Sequence, residues 1–403
     1  MLAVFLSPVY ILLNVYMLRW LLRWMKACSS HFGRKSVRAA MIAVYIILST
    51  AVLTGFLFPL GELGRLLKLT GNYWLGVMLY SLPVIGAADA IRLILRRFGR
   101  LSGSEEAGRK RLAVTGAVCI TAAAVLCITG AVNARIVRAT DYDITVNKDA
   151  GRLKELRIVL AADLHMGYNV GCSQIEKMVE RINEQRPDIV VLAGDIFDNE
   201  YEALDDPERL ISILKGIRSR YGTYACYGNH DIEEKILAGF TFGGKRDKKE
   251  SDVRMDAFLE KAGITLLQDE GLLVDDSFYL YGRPDLHRPG RGIRERKTPE
   301  EITADMDKRL PIIVIDHEPA ELDALAGAGV DMDLCGHTHN GQTFPGNLAI
   351  GLMWENPYGY LQKGQMHNIV TSGVGVFGPY MRVGTKAEIC TVRVEFNRWA
   401  GMD

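Results

Sequence analysis

The sequence predicts an N-terminal membrane region of four helices followed by a separate α/β domain. Four uncharged stretches lie in the first third of the 403-residue chain, each about as long as the ~20 residues that cross a bilayer. Beyond residue 140, short apolar runs alternate with amphipathic segments, the pattern of strands that alternate with helices. The chain has 48 Lys and Arg residues and 48 Asp and Glu residues. It therefore lacks the basic excess that is typical of nucleic-acid-binding proteins, and no nucleic-acid partner is expected.

The uncharged stretches define the predicted domain organisation. They place transmembrane helices at about 1–22, 39–61, 69–91 and 112–134, in a membrane region of residues 1–138 that precedes a domain at 139–403. Buried core helices can also be uncharged, but four in succession with nothing amphipathic between them favour a membrane region. Asp89 in the third helix is expected near the membrane surface, paired with Arg92 one turn later, rather than as a functional acid inside the bilayer.

The basic residues between the stretches predict the orientation. The connections after the first and third stretches carry six and seven Lys or Arg residues, whereas the second has only Arg65 and Lys68. Positively charged short loops stay in the cytoplasm, which predicts an integral cell membrane protein with an extracytoplasmic C-terminal domain. Nothing basic precedes the first stretch, so a retained helix is expected there and not a cleaved signal peptide.

Five short apolar runs predict buried strands in the C-terminal domain, at 157–162, 188–193, 222–227, 311–315 and 330–334. Amphipathic helices are expected at 207–219 and at 173–185, the latter with one apolar face formed by Ile175, Met178, Val179 and Ile182. Each strand runs into a loop that contains Asp, His or Asn. Because ligand sites of open α/β sheets lie at the carboxyl ends of strands, we expect these side chains to converge.

Two segments of this domain, 239–254 and 283–297, show little regular pattern. The second contains six basic residues, which predicts a solvated loop or, alternatively, a contact with an anionic substrate or lipid head group. Four of the seven cysteines lie in this domain. The sequence allows either that they form two disulfides or that they are buried free thiols.

The polar side chains at the strand ends form a candidate metal-binding set. Its members are Asp163, His165, Asp195, Asp198, Asn229, His230, His317, His337 and His339. Imidazole, carboxylate and amide oxygen are ligands of Zn, Mn and Fe. Taken singly, each of these short motifs is typical of an ordinary turn at the end of a strand. Together they exceed the needs of one tetrahedral ion, which suits two metals that share a carboxylate.

The spacing of these residues resembles the calcineurin-like metallophosphoesterases, and in particular their bacterial membrane-associated, phosphodiesterase-like branch. All five motifs are present in order: Asp163-Leu-His165, Gly194-Asp195-Ile-Phe-Asp198, Gly228-Asn229-His230-Asp231, His317, and Gly336-His337-Thr-His339. The resemblance covers roughly residues 155–395 and includes 372–375 and 379–382. It departs at Asp316-His317, where Gly-His is commoner, and it does not include the membrane region.

The resemblance implies a four-layer αββα sandwich that holds two divalent metal ions, either Mn, Fe or Zn. By motif position, Asp163, His165 and His339 would hold one metal, and Asn229, His317 and His337 the other. Asp195 would bridge the two ions, and a hydroxide between them would attack the phosphorus. His230 would be the catalytic histidine, and Asp198 a carboxylate behind the site that orients a ligand.

The function expected from these observations is that of a membrane-anchored, metal-dependent phosphoric ester hydrolase. Its substrate would be a phosphodiester or pyrophosphate, and the membrane region makes a lipid or a cell-envelope polymer one candidate. A phosphomonoesterase or nucleotidase is a second enzymatic interpretation, because the motifs bind phosphoryl oxygens in either case. The non-enzymatic alternative is a membrane sensor or scaffold that uses the fold to bind a ligand.

Overall fold

The computed structural model describes residues 2–58, 61–101, 103–232, 236–237, 240–241 and 252–397, so most of the irregular segment 239–254 lies outside it. The chain divides into two compact units. The first comprises Met1–Val132, Ile236–Phe242 and Gly378–Met381, and the second comprises Asn133–Lys235, Gly243–Phe377 and Arg382–Asp403. The domain boundary expected at residue 138 stays a prediction.

Long helices dominate the first unit. They are α1 (Leu2–Cys28), α2 (Lys35–Leu57), α3 (Glu62–Arg97) and α4 (Glu105–Asn133). By length and composition, α2, α3 and α4 can each cross a membrane. The described residues therefore support three of the four expected spans; the first stretch forms the helix α1, which is not among the three.

Buried polar contacts connect the helices of the first unit. The side-chain oxygen of Asn14 accepts hydrogen bonds from Trp74 Nε1 and the Tyr45 hydroxyl, both at 3.1 Å, and so joins α1, α2 and α3. Such bonds between helices are worth about 0.6–2 kcal/mol in a membrane. Asp89 forms the expected ion pair with Arg92, at 3.5 Å.

Short strands and helices make up most of the second unit. In chain order the strands are β1 (Val137–Val146), β2 (Glu155–Ala161), β3 (Ile189–Ala193), β4 (Thr223–Cys226), β5 (Ile236–Leu237), β6 (Phe240–Thr241), β7 (Ile264–Leu266), β8 (Glu270–Val274), β9 (Phe278–Gly282), β10 (Ile312–Ile315), β11 (Met332–Cys335), β12 (Gly359–Lys363), β13 (Met366–Val370) and β14 (Ala387–Phe396). The helices are α5 (Cys172–Glu184), α6 (Pro207–Leu214), α7 (Val253–Lys261), α8 (Pro299–Thr303), α9 (Leu322–Ala328) and α10 (Gly346–Ala349). The hairpin β5–β6 falls within the first unit.

Two six-stranded sheets form the second unit, in the orders β1-β14-β2-β3-β4-β7 and β12-β13-β11-β10-β9-β8. Strands β2, β3, β4 and β7 run parallel to one another, as do β9, β10, β11 and β13. The carboxyl ends of the strands in each parallel set therefore lie along one edge of their sheet.

Successive side chains of a strand point to opposite faces of its sheet, and what each face contacts shows how the layers stack. In β10, Ile313 and Ile315 join Leu160 and Val191 of the other sheet in one core between the sheets. The neighbouring Ile312 and Val314 instead pack with residues of α8 and α9. On the first sheet, α5 contacts β1 and β14 and buries its predicted apolar face. These contacts are those of the four-layer αββα sandwich that was expected.

The helix predicted at 207–219 is shorter than expected, because α6 ends at Leu214. The side chain of Asn183 on α5 donates to the carbonyl of Gly216 (2.8 Å) and accepts from the backbone N–H of Arg218 (2.8 Å). These bonds hold residues 216–218 as a loop, because they occupy backbone groups that a continued helix would use internally.

The cysteines of the second unit are free thiols. Cys172, Cys226, Cys335 and Cys390 are all buried, and none of them forms a disulfide. Burial raises the pKa of each thiol above its usual value. Of the two alternatives that the sequence left open, the structure therefore shows buried thiols.

Candidate active site

The candidate site is formed by residues that follow five strands, three from the parallel set of one sheet and two from that of the other. Asp163 and His165 follow β2, Asp195 follows β3, and Asn229 and His230 follow β4. On the other sheet, His317 follows β10, and His337 and His339 follow β11. The structure brings together all the residues that were predicted to hold metal, although they are up to 176 positions apart in the chain.

One cluster of donors contains Asp163, His165 and His339, whose ligand atoms all lie within 4.8 Å of one another. The Nε2 atoms of His165 and His339 face each other at 3.0 Å, and His339 Nε2 is 3.6 Å from Asp163 Oδ1. Donors that bind one ion at about 2.0–2.1 Å lie roughly 3 Å apart. The three side chains therefore have the spacing of ligands around a single cation.

A second cluster contains Asn229, His317 and His337. The Asn229 side-chain oxygen is 3.1 Å from His317 Nε2 and 3.0 Å from His337 Nδ1, and the two imidazole nitrogens are 3.1 Å apart. His317 Nδ1 lies 2.9 Å from the carbonyl oxygen of Ala193 and donates to it, which leaves Nε2 to face the cluster. This second set also has the spacing of metal ligands.

Asp195 lies between the two clusters. Its Oδ2 is 3.6 Å from His165 Nε2 and 3.3 Å from His317 Nε2, so one oxygen faces a histidine of each cluster. Its Oδ1 accepts a hydrogen bond of 2.8 Å from the backbone N–H of His230. The carboxylate is thus fixed by one oxygen and presents the other to both clusters.

The backbone at these positions adopts a conformation that side chains disfavour. Asp163, His165, Asp195, His337 and His339 all have φ between 46° and 69°, in the left-handed region. Such strain persists only where the surrounding structure enforces it, and it concentrates at functional sites. Gly228 is required for a related reason, because a Cβ there would lie 2.3 Å from Asp195 Oδ1.

Burial keeps two of the histidines neutral. It lowers the pKa of His337 to about 3. Burial, together with the nearby His165 and Arg382, also lowers the pKa of His339 well below its usual value. A neutral imidazole is the form that binds metal ions. These two residues therefore carry free nitrogen lone pairs at ordinary pH.

The centre of the site attracts positive charge. Burial alone would raise the pKa of Asp195, but the adjacent His317 holds it well below its usual range. Conversely, burial alone would lower the pKa of His317, but Asp195 holds it well above its usual value. The ionised Asp195 carboxylate thus stabilises a cation beside it, and the donor set as a whole fits divalent metal ions.

His230 is held by a residue that the sequence interpretation missed. Its Nδ1 lies against the side-chain oxygen of Asn199, whose Nδ2 donates to the carbonyl of Ile232 at 2.9 Å. Burial lowers the pKa of His230 to about 4, so the ring is neutral with its proton on Nδ1. Asn199 directly follows Asp198 of the second motif, and this position in the sequence could have identified it as a site residue.

Asp198 lies beside His165 of the first cluster and beside His230. Its Oδ1 is 3.7 Å from His165 Nδ1 and 3.8 Å from His230 Nδ1. Both separations exceed a hydrogen bond, so Asp198 acts on His165 through its charge, whereas the neutral His230 ring is only its neighbour.

Arg382 supports the first cluster from the other side, and it too was missed as a site residue. Its guanidinium is fully buried and donates to the carbonyls of Ser372 (2.6 Å) and Gly375 (2.7 Å). The same group contacts His339 Nδ1 at 3.3 Å. Arg382 therefore orients His339 and fixes the loop 372–375, whose Gly375 N–H donates to the carbonyl of Asp163.

Two of the six basic residues of segment 283–297 turn inward, so the segment is not wholly a solvated loop, and contact of the other four with an anionic group stays a prediction. Arg283 and Arg296 are buried, and both bind Asp316, at 2.7 Å and 3.0 Å. Both also bind Glu321 at 2.7 Å. Asp316 stands where the family more often has Gly, and here it anchors the strand end that carries His317.

Comparisons with known proteins agree with this geometry. The family model "Calcineurin-like phosphoesterase" matches residues 156–341. The chain is 29% identical to the "Transmembrane protein with metallophosphoesterase domain" of Bos taurus over 373 residues, which cover 87% of this chain and 78% of that protein. It is 30% identical to the Danio rerio protein of the same name over 333 residues, which cover 78% of this chain and 70% of the relative.

A bacterial relative bears a more specific name. The chain is 28% identical to "Phosphodiesterase YaeI" of Escherichia coli (strain K12) over 255 residues, which cover 58% of this chain and 80% of that protein. The three apolar helices, together with similarity to relatives that are named transmembrane proteins, support integration in a membrane. The chain belongs to the calcineurin-like phosphoesterase family and is a metal-dependent phosphoric ester hydrolase.

Proposed function

We propose that the protein is a membrane-anchored phosphoesterase that uses two divalent metal ions to hydrolyse a phosphodiester or pyrophosphate bond. The position of Asp195 carries this proposal, because its Oδ2 faces both donor clusters at once. Asp163, His165 and His339 would hold one ion, Asn229, His317 and His337 the other, and Asp195 would be shared. When bound, the ions neutralise phosphoryl charge and make a water molecule more acidic.

The chain's own side chains would then orient the reacting groups. Asn199 fixes the ring of His230, which leaves Nε2 as the nitrogen that can exchange a proton with the substrate. Because His230 is neutral at pH 7, it must first take up a proton before it can donate one to the leaving oxygen. Asp198 would act on His165 through its charge and so hold a ligand in place.

The name of the Escherichia coli relative supports a diester as the substrate. A lipid or a polymer of the cell envelope is the candidate source, motivated by the apolar helices. The basic connections between those helices favour an extracytoplasmic active site. If so, protease added to intact cells will digest the second unit, whereas survival of that unit would place it inside.

Metal removal and replacement tests the proposed reaction. The full chain in detergent is stripped with a chelator and reloaded with Mn²⁺, Zn²⁺ or Fe²⁺. It is then assayed on bis(p-nitrophenyl) phosphate and p-nitrophenyl phosphate. We expect metal to restore turnover, faster on the diester. Faster turnover of the monoester would select the phosphomonoesterase interpretation, and no turnover despite two bound ions per chain would contradict the proposed reaction on simple esters.

A separate measurement tests His230. We expect His230→Ala to keep its metal content but to lose about 10²–10⁴-fold in kcat, with the greatest loss on diesters that have poor leaving groups. Asn199→Ala should show the same dependence on leaving group with a smaller loss, because the ring remains but is no longer oriented. A His230→Ala loss that is equal for all leaving groups would mean that His230 only positions the phosphate.

A further inference from the structure

An uncharged segment follows the second histidine pair of the site. From Leu334 to Trp354 the chain contains no Asp, Glu, Lys or Arg. Within this stretch we call residues 344–353 the apolar loop. It contains the short helix α10 and a 3₁₀ turn, Ile350–Leu352.

The apolar loop presents its large side chains outward. Leu348, Leu352 and Met353 are 69%, 90% and 75% exposed. Leu348 and Leu352 are four positions apart in helical backbone and therefore share a side. Soluble proteins avoid grouping exposed apolar side chains in this way unless the surface binds something.

The apolar loop is continuous with the active site. Trp354, which follows it directly, packs edge to face on the ring of His337 with the ring centres 5.2 Å apart. Downstream, the Pro357 carbonyl accepts a 2.6 Å hydrogen bond from the hydroxyl of Thr338, between the two histidines. Whatever the apolar loop binds would therefore lie beside the second donor cluster.

Within the second unit, the apolar loop is also connected by hydrogen bonds to Asn133, the residue that ends α4. The backbone N–H of Phe344 donates to the carbonyl of Val383 at 2.8 Å. On the same short segment, the carbonyls of Arg382 and Thr385 accept hydrogen bonds of 3.0 Å and 2.7 Å from the side chain of Asn133. Asn133 is the last residue of α4, a candidate membrane span.

Basic and apolar side chains accompany this junction. Arg138 donates to the side-chain oxygen of Asn133 at 2.8 Å, and Arg135 and Ile136 beside it are exposed. Arginine next to the end of a span is attracted to anionic lipid head groups. Exposed leucine and methionine supply the complementary affinity for acyl chains.

We propose that the apolar loop docks on the lipid bilayer, with Leu348, Leu352 and Met353 entering the interface. The active site then faces phosphoesters carried at the membrane surface, since Trp354 connects the apolar loop to His337. Docking depends on membrane integration and on the exposed side chains; it does not require the two-metal reaction to be correct.

The test measures the surroundings of single side chains in the full chain. Leu352→Cys and Met353→Cys are made in a Cys28→Ser background, because Cys28 is the exposed cysteine of the described residues. Each new cysteine receives a nitroxide label, and the protein is placed one copy per nanodisc of phosphatidylcholine and phosphatidylglycerol. Relaxation by oxygen, which concentrates in lipid, is compared with relaxation by a water-soluble nickel chelate. The matched control is Arg309→Cys, at a side chain that is 81% exposed.

We expect the oxygen-to-nickel ratio at residues 352 and 353 to be several-fold higher than at residue 309. The same ratio at all three positions would show that the apolar loop lies in water, and docking on lipid would be wrong. Shielding of residues 352 and 353 from both reagents would show that protein covers them, which also overturns the proposal. Hydrolysis of the water-soluble diester is the check that each labelled protein is folded. If hydrolysis fails while the relaxation ratios are as expected, the proposed reaction is in error and the docking is not.

Discussion

Asp195→Asn is expected to lose metal and to lower kcat/KM by about 10³-fold or more, because loss of an outer partner of a metal ligand alone costs about 10–100-fold. The substitution removes one negative charge but little volume. Its side-chain oxygen can still accept the bond from the N–H of His230. The fold should therefore survive while the position that faces both donor clusters loses its charge.

Elemental analysis of the purified variant, together with diester turnover, measures both effects. Asp307→Asn is the matched control, since it makes the same change in an exposed pair with Arg309. We expect the control to retain its metal and its turnover. An Asp195→Asn protein that still bound two ions and kept most of its activity would show that Asp195 is not shared between metals.

Asp316→Ala is expected to destabilise the second unit by about 3–5 kcal/mol, the usual cost of breaking a buried ion pair. Asp316 and Arg283 are both fully buried, and Arg296 is nearly so. Without the carboxylate, the buried positive charges of Arg283 and Arg296 lose one of their two acidic partners, and water does not reach them to replace it. Glu321, which is 35% exposed, remains as their other acidic partner.

Thermal unfolding of the full chain in detergent measures this effect. A loss of this size lowers the melting temperature by roughly 10 °C in a domain of about 250 residues. Asp307→Ala is the control, because its exposed pair with Arg309 contributes only about 0–1 kcal/mol. Similar shifts for the two variants would mean that the buried network contributes no more than a surface pair.

The strand ends, and the convergence of the polar side chains that follow them, were predictable because both signals are local. An apolar run followed by Asp-x-His or Gly-Asn-His places its polar residues in the loop after a strand, whatever the rest of the chain does. The same local reasoning identified the apolar face of α5, from Ile175 to Ile182.

The supporting residues were not predictable in this way, because they act across long separations. Arg382 binds His339 from 43 positions away, and Arg283 binds Asp316 from 33 positions away. Composition alone made 283–297 look like a solvated basic loop, since nothing in it indicates which arginines turn inward. The end of α6 was misplaced for a similar reason, because the side chain of Asn183 on another helix fixes it.

The free, buried thiols of the second unit bear on where and how the protein can be made. The part of the unit that the structure describes contains no cystine cross-link, so this part needs neither an oxidase nor a disulfide isomerase to complete it. Thiols that are shielded and held protonated also react slowly with oxidants. The unit should therefore reach the same structure in the reducing cytosol as in an oxidising compartment, and its maturation need not follow its export.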